Sequence, residues 1–188
     1  MRASTRRFVL AAVALACVAT SAARAQTIKI GPPPGTSNDA PPVAVGPGWR
    51  YERRPPDVHM FHCQQDSCDR SSRVSYRILA PDNTFTLERF RREQETVVKA
   101  LEQRAPVGTR IAILGVEGDD TSQLPRMYTS RRVLTSPDGT KEYSVSALLL
   151  GGRYAASLIS SSRSETASTA NHALFGLAVM LLVSRTRP

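Results

Sequence analysis

Apolar and polar positions alternate over residues 73–79, where Val74, Tyr76 and Ile78 share one side. That period predicts a half-buried strand, and residues 58–63 predict another just before it. Pro81-Asp82-Asn83 then breaks the chain, and Thr86 is placed to cap a helix. Beyond it Leu87, Phe90, Val97 and Leu101 fall at helical spacings and define one apolar face, interrupted by Gln94. The opposite side carries Glu88, Arg89, Arg92, Glu93, Glu95 and Lys99. Pairs such as Glu88–Arg92 and Glu95–Lys99 are four residues apart, and each is worth only a few tenths of a kcal/mol. They mark a solvated face.

The second half reads as a run of strands. Residues 111–116 are a short apolar stretch bounded by glycine, and residues 126–135 follow after a polar loop. Ser136-Pro137-Asp138-Gly139-Thr140 predicts a tight hairpin, because proline presets one turn position and glycine supplies the left-handed one. Strands are predicted at 142–150 and 154–160, joined by Gly151-Gly152. Ser162 and Glu165 have the spacing of a capping box, which opens a last helix. Ala167, Ala170, Leu174, Leu177 and Leu181 form its expected buried face, and residues 173–183 are apolar throughout. That run is too short to span a bilayer. The order β-β-α-β-β-β-β-α predicts an α+β fold, an antiparallel sheet of five to six strands covered by two amphipathic helices.

The N-terminal quarter has a different character. Arg2, Arg6 and Arg7 precede an apolar stretch at 8–18, and Ala23-Arg24-Ala25 offers a small-x-small cleavage pattern. Residues 1–25 therefore read as a signal peptide, which implies a periplasmic or secreted protein. Thr5-Arg6-Arg7-Phe8-Val9-Leu10 resembles a twin-arginine motif, so both that route and Sec export stay open. Ala14-Leu15-Ala16-Cys17 resembles a lipoprotein cleavage box, but Leu15 stands one place too late, which argues against lipidation at Cys17. Residues 26–48 hold six Pro and four Gly, too many for a helix or a strand ladder, and read as a semi-rigid tether. A single domain is expected over 49–188, long enough for its own core.

Charge adds little. The chain carries +9, and removal of the four arginines of the leader leaves +5. Such an excess does not define a nucleic-acid binder, and 22 Arg against 3 Lys reflects genome composition.

Candidate chemistry is sparse. His59-Met60-Phe61-His62-Cys63 gathers soft ligands, but a strand turns His59 and His62 to opposite faces, so no metal site is expected. Asp66, Asp69, Asp119 and Asp120 lack metal-loop spacing. There is no Gly-x-Ser-x-Gly elbow, phosphate loop or dinucleotide fingerprint, and the serines at 157–164 have no histidine nearby in sequence. His172 sits at the edge of the apolar run and reads as structural. No catalytic residue, cofactor or metal ligand is assigned. Cys63 and Cys68 are the cysteines left after the leader, and export places them in an oxidising compartment. The four polar residues between them allow the turn that a disulfide needs, so a Cys63–Cys68 bond is expected.

The helix after two strands, the meander through Pro137-Asp138-Gly139, and the segment 154–162 leading into an apolar helix resemble the PsbP-like fold group. That resemblance rests on element order over about 130 residues. It implies a non-enzymatic accessory or binding module for a protein or small ligand. A small exported hydrolase-like enzyme, its residues gathered from distant loops, is the alternative. A concave pocket with convergent polar groups favours the enzyme, and a flat apolar patch favours the module.

Overall fold

A computed structural model describes residues 29–30, 43–121 and 123–184 of the chain. The leader, Cys17 and most of the proposed tether lie outside those residues. In chain order the elements are β1 (Lys29–Ile30), β2 (Val43–Ala44), β3 (Trp49–Arg54), β4 (Val58–Cys63), β5 (Arg73–Leu79), α1 (Leu87–Arg104), β6 (Arg110–Gly118), β7 (Arg126–Thr135), β8 (Lys141–Leu150), β9 (Ala155–Ser162) and α2 (Glu165–Ser184).

Seven strands form one antiparallel sheet in the order β3-β4-β5-β9-β8-β7-β6, and β1 pairs with β2 beside it. The first three strands form a meander. The chain then crosses the sheet through α1 to its far edge and returns strand by strand until β9 pairs with β5. The fold class is therefore the α+β arrangement expected from the pattern. β3 is the additional strand. Its sequence Trp-Arg-Tyr-Glu-Arg-Arg hides a period of two, since Trp49 and Tyr51 face the core while the charged residues of this edge strand meet water.

Side chains on each strand alternate between two cores. Val74, Tyr76, Ala147, Leu149, Ala156 and Leu158 pack under α2 with Phe175, Val179 and Leu182. Tyr128, Leu150 and Ala155 pack on the other face with Phe85 and Phe90 of the α1 segment. Val43 and Val45 are fully buried in the first core. The packed domain thus begins before Trp49, and these two valines supply the apolar anchor that a proline and glycine count alone does not reveal.

Local signals behave as their chemistry dictates. The Thr86 hydroxyl accepts from the Arg89 N–H at 3.2 Å and opens α1. Gly139 has φ +84° in the 136–140 hairpin, where its N–H donates to the Ser136 carbonyl at 2.9 Å. Two helical faces differ from expectation. On α2 the buried side is Phe175, Ala178, Val179, Leu182 and Val183, while Leu177 is 56% and Leu181 43% exposed. A helix apolar all round has no unique stripe, so the sheet selects the side that carries the bulky Phe175. Among the described residues α2 is also the one helix apolar and long enough to cross a membrane, yet half of that stretch is buried within the fold. The α2 cap is Ser164, whose hydroxyl accepts from the Ala167 N–H at 3.2 Å; the Ser162 hydroxyl instead donates to Asp69 at 2.7 Å. On α1, Phe90 and Gln94 are buried while Val97 and Leu101 are half-open to solvent. The helix leans over β6 and β7 and leaves the middle of the sheet partly uncovered.

Candidate functional site

That uncovered strip is a cleft of about 450 Å³ between α1 and the face of β5, β9 and β8. The volume falls in the range of ordinary small-molecule sites. Its floor comes from alternate positions on three strands, Leu79 on β5, Ala155, Ser157 and Ile159 on β9, and Ser146, Leu148 and Leu150 on β8. Cross-strand register fixes these neighbours: Ser146 is opposite Ile159, and Ser157 lies between Leu148 and Arg77. The wall is Phe90, Gln94 and Val97 of α1, which fall on one side of the helix at spacings of four and three. Phe85 closes one end, and its ring centroid is 6.4 Å from that of Phe90. Tyr128 supports both rings from below, at 5.8 and 5.9 Å.

The carboxylate of Asp120 fixes the helix that forms the wall. It accepts from the Leu87 N–H at 2.7 Å and from the Tyr128 hydroxyl at 2.8 Å. The loop carboxylate is therefore a tie between the β6–β7 loop and the start of α1, an assignment that needs tertiary contacts.

Three arginines and two acids line the cleft. Arg89 is compensated, with Asp82 at 2.8 Å and Glu93 at 3.2 Å. The Thr84 hydroxyl at 2.6 Å and then the Thr84 N–H and Arg89 hold the Asp82 carboxyl below the usual carboxylate range. Arg132 is different. It reaches from β7, its Nε donates to the Ser144 hydroxyl at 2.9 Å, and it has no ion pair among the described residues. Burial pulls its pKa down from the ordinary arginine value, opposed by the more distant Glu142. Arg77 stands on β5, exposed and likewise without an ion pair among the described residues.

Two further polar atoms are left over. The Ser146 hydroxyl (the residue is 6% exposed) and the Gln94 Oε1 (9%) are buried and unpartnered among the described residues. A buried polar atom without a partner costs about 1–3 kcal/mol, so two of them in one cleft are a signal. The cleft offers hydrogen-bonding groups, cations and an apolar floor. Among the described residues no histidine or cysteine lines it.

The residues singled out from sequence lie elsewhere. Cys63 and Cys68 are joined by a disulfide with their Cα atoms 5.9 Å apart, around a short 3-10 turn at Asp66–Cys68. Asn171 of α2 ties this loop down by donating to the Cys68 carbonyl and the Ser72 hydroxyl, both at 3.0 Å. His59 stacks on Tyr76 with centroids 4.7 Å apart, and its Nδ1 is 2.8 Å from the Tyr51 hydroxyl. His62 lies on the other face, 3.3 Å from Glu52. No group of three or more His, Cys, Asp or Glu side chains comes together among the described residues. His172 is buried on the inner side of α2. The cleft groups Arg132, Ser146 and Gln94 were missed from sequence. Gln94 alone left a trace, as the polar break in an apolar stripe.

The single seven-stranded sheet with one helix on each face is a PsbP-like α+β fold. No family model matches the chain, and no curated protein sequence matches it. Among solved structures it is similar to cyanobacterial PsbP (CyanoP) from Synechocystis sp. PCC 6803, with a TM-score of 0.53 and 13% identity over 73% of this chain and 82% of that one. A weaker likeness is to the Ran-binding protein Mog1p of Saccharomyces cerevisiae, with a TM-score of 0.45 and 12% identity over 74% of this chain and 82% of that one.

Proposed function

We propose that the protein is an exported accessory module that binds a ligand in the cleft between α1 and the sheet, without catalysing its conversion. The observation that carries this reading is the combination of a concave, mainly apolar cleft with unpartnered Ser146 and Gln94 and with Arg132, which has no ion pair among the described residues. Binding sites of this type consist of an apolar body and a few placed polar groups. The fold agrees with an accessory role, by analogy alone. The leader at 1–25 and the Cys63–Cys68 bond agree with an oxidising compartment outside the cytoplasm.

A pocket with convergent polar groups also suits the enzyme alternative. The missing element is a nucleophile beside a base, since His59, His62 and His172 do not line the cleft. The test compares the exported chain with Ser157→Trp, which fills the cleft from a half-buried position. Native mass spectrometry of protein purified from the periplasm should find a bound small molecule on the wild type and none on the variant, with unchanged melting temperature. Equal retention by both would remove the cleft from the reading. Turnover of chromogenic ester, peptide or phosphoester substrates that is lost in Ser146→Ala would replace it with the enzyme.

A further inference from the structure

The charge layout of the cleft narrows what can occupy it. Of its three arginines, Arg89 is fully engaged by the cleft's two acids, Asp82 and Glu93. Arg77 and Arg132 remain, with no ion pair among the described residues. Arg132 is the telling one, because it is half-buried, and a guanidinium removed from water is normally paired with an acid. Its Nε is held by Ser144 at 2.9 Å, while its terminal nitrogens have no ion pair among the described residues. Ser144 and Ser146 are two residues apart on β8 and share that face, so the orphaned Ser146 hydroxyl adjoins the same end of the cleft.

The remaining lining is apolar. Leu148, Leu150, Phe85 and Phe90 are among its apolar lining residues, and so are Val97 and Ile159, which are 39% and 38% exposed. Gln94 presents an unpartnered acceptor from the helical wall. A cation at one end, an apolar trough beyond it and an acceptor on the wall define a complementary molecule.

Resting on the cleft as the binding site, we infer that its ligand is an amphipathic carboxylate that carries an apolar tail and an N–H donor, as in an N-acyl amino acid. The carboxylate takes the two terminal nitrogens of Arg132 side by side, the geometry for which guanidinium is suited, and accepts from Ser146. The N–H meets Gln94 Oε1. The tail lies between Val97 and Ile159 and reaches toward Leu148. Arg77, across the mouth, adds long-range attraction for the anion.

The probes are N-octanoylglycine and its uncharged analogue N-octanoylglycinamide, titrated into the exported chain by calorimetry and by backbone amide NMR. The acid should shift the amides of Ser146, Ser157 and Ile159 and bind at least about ten-fold more tightly than the amide analogue, the equivalent of one charge-assisted contact. Arg132→Gln should weaken the acid by a similar factor and leave the neutral analogue unchanged, and Arg132→Lys should recover part of the loss. Should Arg132→Gln fail to fold, Arg77→Gln should weaken the acid in a salt-dependent manner, and the acid-to-amide ratio on the wild type stands independently. Equal affinity for the two probes would overturn the carboxylate assignment and keep the cleft as the binding site. Shifts confined to residues outside the cleft would overturn both.

Discussion

His172 offers a sharp test of the packing under α2. The residue is 6% exposed, and both ring nitrogens are buried without a hydrogen-bond partner among the described residues. Burial is the sole cause acting on it, and it lowers the pKa from 6.5 to about 4. The sign follows directly. Below pH 6.5 the unfolded chain takes a proton on this imidazole and the folded protein does not, so stability declines as pH falls toward 4. Below that both states are protonated and the slope ends. At 1.36 kcal/mol per pH unit, the gap is worth about 3 kcal/mol, a large share of a small domain's stability.

The window is separable from other titrations. Backbone and side-chain hydrogen bonds from Ser71 and Ser162 hold Asp69 below 3.8, and similar bonds at Thr84 and Thr140 do so for Asp82 and Asp138, so their stabilisation is lost only at lower pH. His59, lowered mainly by its own burial, contributes in the same direction below pH 6.5, so the comparison must be with a variant. His172→Phe keeps a ring and removes the proton. Urea unfolding at pH 7.5, 6, 5 and 4 can be followed by the single tryptophan, since Trp49 meets Phe175 edge-on at 5.0 Å. The wild type should lose about 3 kcal/mol more than His172→Phe between pH 7.5 and 4. Parallel losses would refute the buried neutral imidazole.

The other expectations are briefer. Leu182→Ala, at a site 1% exposed, should cost about 2–5 kcal/mol, while Leu177→Ala on the outer side of the same helix should cost under about 1 kcal/mol in denaturant melts. A Cβ on Gly151 would collide with the Val183 backbone carbonyl, so Gly151→Ala should lower stability by about 1–3 kcal/mol by forcing β8 and α2 apart. Exported protein should show no alkylatable thiol at Cys63 or Cys68 before reduction by mass spectrometry, and replacing both by alanine should cost about 2 kcal/mol. Arg132→Met should raise stability by about 1 kcal/mol while weakening anion binding about ten-fold, because a half-buried cation without an ion pair gives way to an apolar side chain.

Local chemistry made much of the fold readable. The Thr86 cap and the 136–140 turn depend on a handful of adjacent residues, and both form as their side chains require. What failed to show in sequence depends on partners far along the chain. Leu177 and Leu181 are as apolar as Val179 and Leu182, and only the sheet beneath decides which pair is covered. Val43 and Val45 sit among prolines and glycines, yet α2 and the sheet bury them. The cleft is more remote still. It exists because β9 returns to pair with β5, which brings residues 77 and 157 side by side. No window of sequence contains both walls.

The two faces of the sheet treat some of their buried polar groups differently, although under α2 too the His172 ring nitrogens have no partner among the described residues. Under α2, Ser160 exchanges bonds with Ser168 at 2.9 and 3.2 Å, and Asn171 is spent on the disulfide loop. Those partners rigidify the helix on the sheet, and removing one would strand the other. On the α1 face, Ser146 and Gln94 have no partner and Arg132 has no ion pair among the described residues, although Glu142 acts on it at longer range. Apolar replacements at those positions would leave the strand ladders intact and bury the face more completely. The α1 face keeps polar groups that do not serve the fold, next to an apolar trough that α1 does not cover. A ligand that completes these bonds, as proposed for the cleft, would account for that arrangement.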